Sequence, residues 1–364
     1  MRRDYIVFGV VDTEERLAAF LPVVRAAQWV ALDTEADSLH AYPEKVCLIQ
    51  IGTVSGDRLI DPLAGIDLSP LLDALAGREL LMHGADYDLR LLRKHHEFVP
   101  GFIFDTMLAA RLLGHRQFGL GDLVEKHLGV KLEKGPQKAN WALRPLTERM
   151  ELYARNDTHY LKPLADRLRE ELKGAGRLSW HQESCARLIA DATRERPPDL
   201  DSVWRVKGSH LLDRPALGIL RELWQWRDAE AIAANKPPFF VLSHQLLVDI
   251  AAAAAASRPV EPLLPRHLSE RRRRGVLKAV SRGLSLSPDH HPKILRFASR
   301  RPSQGERRRF LELQTCRDAR ASALGIDPTL IASRAVLSDL AYDWDKYQPD
   351  LMNWQRELLR GSAG

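Results

Sequence analysis

The chain has 364 residues, of which 45 % are hydrophobic and 28 % charged, and its formal net charge is +6. This length predicts two or three domains, and the composition is that of a folded protein that stays in water. No apolar run approaches ~18 residues, and three dispersed cysteines (Cys47, Cys185, Cys316) exclude both a disulfide framework and a cysteine zinc cluster.

In chain order, the first 200 residues alternate strand-like and helix-like patterns. Tyr5 to Val10 reads as a short strand, and Thr13 as the N-cap of a helix with Glu14 and Glu15 in its first turn. Trp29 to Asp33, Lys45 to Thr53, Arg58 to Ile60 and Glu79 to His83 read as strands. Ser69 to Leu75, Tyr87 to His95, Thr106 to Leu113 and Leu120 to His127 read as helices, followed by one long helix from Thr147 to about Lys173 that Gly174 and Gly176 end. This order predicts a mixed sheet with helices packed on it. The prolines of Arg194–Asp199 mark a linker, and everything beyond it reads as helical.

The charge is uneven. Residues 1–200 carry 27 Lys+Arg against 30 Asp+Glu, while residues 201–364 carry 27 against 18. The excess is densest from Arg258 to Arg309, with 15 basic residues against 4 acidic ones, including the run Arg271–Arg274. Such a segment suits a polyanion. The same third repeats itself at an offset of 90 residues: Glu222, Leu223, Arg227, Asp228, Ala231, Pro238, Ser243 and Leu247 recur as Glu312, Leu313, Arg317, Asp318, Ala321, Pro328, Ser333 and Leu337, with 12 identities in 30 ungapped positions overall. Two copies of one small helical module account for this. Arg227–Asp228 and Arg317–Asp318 read as pairs within each copy.

Candidate chemistry lies in carboxylates. Asp33 and Glu35 close an apolar strand two residues apart and so point to one face. Tyr153 and Asp157 are four apart on a helix and share a side. Asp88 follows the strand Glu79 to His83 and is preferred to Asp86. Clustered oxygen ligands favour Mg²⁺ or Mn²⁺, and two such ions can clamp the attacking and leaving oxygens of a phosphodiester. Asp105 reads as a helix N-cap, His83 as either a strand-end histidine or a substrate contact, and Arg144 as either a phosphate ligand or the partner of a carboxylate.

In order along the chain, Ala31-Leu32-Asp33-Thr34-Glu35, Cys47-Leu48-Ile49-Gln50-Ile51, His83-Gly84-Ala85-Asp86-Tyr87-Asp88-Leu89, Trp141-Ala142-Leu143-Arg144-Pro145-Leu146 and Tyr153-Ala154-Arg155-Asn156-Asp157 resemble the ribonuclease D family of DEDD 3′→5′ exonucleases. Leu223 to Asp228 with Pro237 to Ala251 resembles the helicase-and-RNase-D C-terminal (HRDC) domain, and the repeat resembles a second, more divergent copy. The resemblance implies an α/β RNase H-like exonuclease domain, a mixed sheet flanked by helices, followed by all-α HRDC-type domains. The expected extents are 1–195, 205–290 and 295–364.

By the same resemblance, Asp33 bridges two ions, Glu35 and Asp157 complete one site, Asp88 supports the other, and Tyr153 orients or helps deprotonate the attacking water. Leu152 stands where the histidine subgroup carries its His, so the resemblance is to the tyrosine subgroup. Thr34, His83, Arg144, Arg271 and Arg272 are the expected substrate contacts. The implied activity is exoribonuclease cleavage of RNA 3′ ends with two Mg²⁺ or Mn²⁺ ions, releasing 5′-mononucleotides from precursors of tRNA and other stable RNAs. A cytoplasmic monomer that touches no membrane is expected. The competing readings are a DNA 3′→5′ exonuclease and a catalytically silent RNA tether; a helicase is excluded because no G-x-x-x-x-G-K-[ST] loop occurs. Removal of residues 201–364 is expected to weaken RNA binding and spare cleavage of short substrates.

Overall fold

The computed structural model describes residues 9–194, 199–295 and 301–360. Helix α1 (Glu14–Ala26) starts where Thr13 accepts a hydrogen bond from the Arg16 N–H. Strands β1 (Trp29–Ala36), β2 (Val46–Thr53) and β3 (Gly56–Ile60) form an antiparallel meander. Helix α2 (Ser69–Ala76) leads to β4 (Glu79–Met82), and α3 (Asp86–His96) leads to β5 (Phe102–Asp105). β4 lies parallel to β1, and β5 parallel to β4, giving the sheet order β3-β2-β1-β4-β5. Every residue of β2 is buried, as a strand covered on both faces must be. The strand expected over Tyr5–Val10 falls mainly outside the described residues; Val11 makes an isolated bridge to Ile60.

Helices α4 (Thr106–Leu112), α5 (Leu120–Leu128), α6 (Glu148–His159), α7 (Leu161–Gly174) and α8 (Leu178–Thr193) follow. The single helix expected over 147–173 is two helices, interrupted at Tyr160. Pro163 is the physical reason: it has no N–H to offer the His159 carbonyl, and its ring crowds that oxygen. Strand β5, four residues long, is an element the sequence pattern does not announce.

Two compact units emerge: residues 1–36, 45–194 and 300–364 form one, and residues 37–44 with 195–299 form the other. The expected linker falls largely on residues 195–198, outside the described ones. The smaller unit holds α9 (Arg214–Ala234), α10 (Pro238–Val241), α11 (His244–Ala255) and α12 (Glu270–Leu284) around Trp204, Ile219, Leu223, Leu247 and Val276.

The larger unit ends in α13 (Gln304–Leu324), α14 (Pro328–Ile331), α15 (Arg334–Tyr342), α16 (Trp344–Tyr347) and α17 (Asn353–Leu359). Leu313, Ile331 and Leu337 share one apolar core with Leu123 of α5 and Leu164 and Leu168 of α7, and Trp354 stacks on Trp180 at 5.0 Å.

The 90-residue repeat is structural. Helices α9, α10 and the start of α11 superpose in number on α13, α14 and the start of α15. Ser243 and Ser333 cap equivalent helices, and the buried Arg227 and Arg317 donate to the equivalent carbonyls of Leu242 and Ala332. Of the expected Arg–Asp pairs, Arg317 does bond Asp318, whereas Asp228 accepts the Tyr42 hydroxyl at 2.6 Å.

Candidate active site and metal centre

Three of the four carboxylates meet at the end of β1. Asp33 and Glu35 lie two apart on β1, Asp157 sits on α6, and their oxygens lie within 4.8 Å of one another. Asp88, in the first turn of α3, is buried; its Oδ1 accepts from the Thr34 N–H at 3.1 Å and from the Thr34 hydroxyl at 2.5 Å. The turn before α3 is fixed by Asp105, whose carboxylate accepts from Gly84 and Ala85 and also caps α4 through Met107 and Leu108. Gly84 holds a left-handed φ of +71°, a backbone conformation that calls for glycine.

The cluster is electrostatically crowded. Burial, then the charges of Asp88, Asp157 and Glu35, push the Asp33 carboxyl well above its ordinary value. Burial, with Asp157 and Asp88, raises Glu35 to about 9. Asp157 rises to about 7, mainly through burial, while a hydrogen bond from Tyr153 opposes the rise. Asp88 rises to about 6, again through burial, with its Thr34 bonds pulling the other way. A divalent cation relieves both causes, since it restores solvation to the buried oxygens and screens their repulsion.

The donor set therefore fits hard divalent ions: four carboxylates, with neither histidine nor cysteine among them. A further observation agrees. Gln50 pairs with Asp33 across β1 and β2, so the two side chains share a face. It is fully buried, and among the described residues neither its amide nitrogen nor its amide oxygen has a hydrogen-bond partner. A buried carboxamide with both valences open is suited to a hydrated ion or a substrate group.

Tyr153 lies one helical turn before Asp157. Its hydroxyl donates to Asp157 and accepts from Gln137, and burial with Asp157 pushes its pKa well above the ordinary tyrosine value. It remains protonated. The loop carrying Gln137 closes over this ring so tightly that a Cβ on Gly135 would fall 1.6 Å from Tyr153 Cδ2.

Comparison with known proteins follows this geometry. Residues 8–173 match the family model described as 3′-5′ exonuclease, and residues 216–258 match the HRDC domain. Ribonuclease D of Gluconacetobacter diazotrophicus is 30 % identical over 365 residues, covering 97 % of this chain and 91 % of that one. The chain belongs to the ribonuclease D family. Ribonuclease D of Desulfotalea psychrophila is 29 % identical over 366 residues, 97 % of this chain and 96 % of the relative. The crystal structure of Escherichia coli RNase D, described as an exoribonuclease involved in structured RNA processing, aligns with a TM-score of 0.74 at 25 % identity over 97 % of this chain and 99 % of that one. The catalytic core of RRP6 from Trypanosoma brucei aligns at 0.64 and 27 % over 77 % and 80 %.

In this ribonuclease D family member, each of the remaining expected contacts has a partner within the chain. Thr34 holds Asp88. His83 Nδ1 lies 2.9 Å from the Thr106 hydroxyl, and burial lowers its pKa, so it is neutral at pH 7. Arg144 forks onto Asp61 at 2.5 and 2.7 Å and reaches the Cys47 and Trp141 carbonyls, which makes it the partner of a carboxylate. Arg271 grips both oxygens of the buried Glu230, and Arg272 reaches the same group at 2.9 Å. Gln137, Gly135 and the position of Gln50 carry no role in the sequence reading. The one sequence signal for Gln50 is a carboxamide between Ile49 and Ile51 in an otherwise apolar strand.

Proposed function

We infer that this ribonuclease D family member is a 3′→5′ exoribonuclease that hydrolyses RNA from its 3′ end with two Mg²⁺ or Mn²⁺ ions. The observation that carries the reading is the meeting of Asp33, Glu35 and Asp157 beside the anchored Asp88. Asp33, Glu35 and Asp157 would hold one ion, and Asp33 with Asp88 the other. Bound there, the ions would lower the pKa of water and stabilise charge on the phosphodiester oxygens.

The chain's own residues do the positioning. Thr34 fixes the Asp88 oxygen, and the Tyr153 hydroxyl, still protonated and tied to Asp157, offers an oriented polar contact for the water that attacks. Tyr153 would orient that water or help remove its proton once the ions neutralise the carboxylates that add to burial in raising its pKa.

The substrate class we propose is structured RNA precursors, tRNA among them; the description of the Escherichia coli relative supports it. Every site residue comes from one chain, so a monomer suffices. No described helix is long and apolar enough to cross a membrane, and the cytoplasm is where such precursors would be met. The test uses RNAs with a free or a phosphate-blocked 3′ end, beside a matched DNA. The reading predicts 5′-mononucleotides from the free RNA alone. Equal shortening of DNA would make it a DNA exonuclease, and internal cuts in the blocked RNA would remove the exonuclease reading.

A further inference from the structure

We propose that His115, His127 and Glu171 form a second metal site, sharing no residue with the carboxylate centre, that takes a transition ion of the Zn²⁺ class. Its parts come from three places in the larger unit: the connection after α4, the last turn of α5, and α7. One ligand atom from each lies within 4.8 Å of the others. His127 Nδ1 is 3.2 Å and His115 Nε2 3.9 Å from the two Glu171 oxygens. A tetrahedral Zn²⁺ with bonds of about 2.0–2.1 Å separates its ligands by roughly 3.4 Å, so small side-chain adjustments close the site.

The imidazoles are ready for such an ion. Both side chains are more than nine-tenths buried, at 9 % and 8 % exposure, and the rings stack at 5.2 Å and only 3° from parallel. His115 Nδ1 and His127 Nε2, on the far sides, are buried with no hydrogen-bond partner among the described residues. Without an ion, His127 Nδ1–H faces the Glu171 carboxylate and Lys126 lies against His115 Nε2; an ion would displace both, the proton moving to the unpaired far-side nitrogen of His127. Burial lowers both pKa values, leaving the rings neutral at pH 7. Two neutral imidazoles and one carboxylate select zinc-class ions over Mg²⁺.

The half-exposed Glu171 leaves the site open on one side. Two cations oppose an ion there: Lys126 Nζ, 3.5 Å from His115 Nε2, and Arg167, which acts on His127. Lys126 is exposed on a flexible stem and can swing away.

The test is a calorimetric Zn²⁺ titration of the full chain, held in excess Mg²⁺ so that the carboxylate centre is occupied. One Zn²⁺ per chain is expected. His115→Ala and His127→Ala should each abolish that uptake, and Glu171→Gln should weaken it by at least about tenfold. Lys126→Ala should tighten it, and Asp33→Asn should leave it intact.

Co²⁺ in place of zinc should give a visible absorption band that His127→Ala removes. Circular dichroism and unchanged Mg²⁺-dependent cleavage would show that the histidine variants fold; if they do not, Glu171→Gln and Lys126→Ala carry the test. The proposal is overturned by absent uptake in the wild type, by uptake that survives loss of both histidines, or by uptake that follows Asp33→Asn instead.

Discussion

Asp33 is half-buried among three other carboxyl groups, and its charge costs the metal-free fold stability. Asp33→Asn is therefore expected to cut cleavage by about a thousandfold or more, the rate equivalent of several kcal/mol of lost transition-state stabilisation. The same change should raise the melting temperature of the metal-free protein, read by thermal denaturation in EDTA. A lowered melting temperature would contradict the crowding described above.

The pH dependence follows from the sign of the shifts. Carboxyls raised to about 7 at Asp157 and about 9 at Glu35 stay protonated in the fold where the unfolded chain has already lost those protons. The stability they contribute is whole below the unfolded carboxylate range and is lost as pH rises through the folded values. Metal-free protein should thus lose stability between about pH 5 and 9, and the Mg²⁺ concentration needed for half-maximal cleavage should fall across the same range. Tyr153→Phe should lower turnover by about a hundredfold and, by removing the bond that holds Asp157 down, raise the Mg²⁺ concentration needed at neutral pH.

At the scale of elements, much of the fold and of the candidate site was legible. Strand alternation pairs Asp33 with Glu35, helical spacing pairs Tyr153 with Asp157, and the 90-residue repeat predicts helix ends as well as residue identities. What stayed hidden depends on partners far away in sequence. Arg144 meets Asp61 across 83 positions, and Arg271 meets Glu230 across 41. Whether such an arginine faces RNA or a buried carboxylate is decided by packing. The bond of Thr34 to Asp88 and the placing of Gln50 and Gln137 were unreadable for the same reason, and β5 is too short to leave a period.

Arg144→Met strands a buried Asp61 and should cost roughly 3 kcal/mol, measured by urea unfolding; a loss within error would mean the pair is idle. Arg272→Gln should lower the melting temperature without changing the salt dependence of RNA affinity. A slope reduced by about 0.7–0.9 would instead return that arginine to a phosphate.

Across the whole molecule, the C-terminal helices are not an appendage. Leu313, Ile331, Leu337 and Trp354 complete the core that Leu123, Leu164 and Leu168 begin, so cutting the chain after residue 194 uncovers a continuous apolar face. The helices from α13 onward thus pack within the nuclease unit, a division other than the expected 1–195, 205–290 and 295–364. Residues 1–194 alone should aggregate or melt well below the full chain, and a soluble, equally stable fragment would contradict this account. The electrostatics also gain detail at this scale: the net basic excess of residues 201–364 stands, but Arg271 and Arg272 of the basic run are held on Glu230.

The most direct test of the catalytic centre follows a 3′-tailed structured RNA with wild-type and Asp157→Ala protein in Mg²⁺, in Mn²⁺ and in EDTA. Stepwise shortening from the 3′ end, present with either ion, absent in EDTA and lost in the folded variant, is the predicted result. Shortening that persists in Asp157→Ala, or RNA binding without shortening under every metal condition, would contradict it.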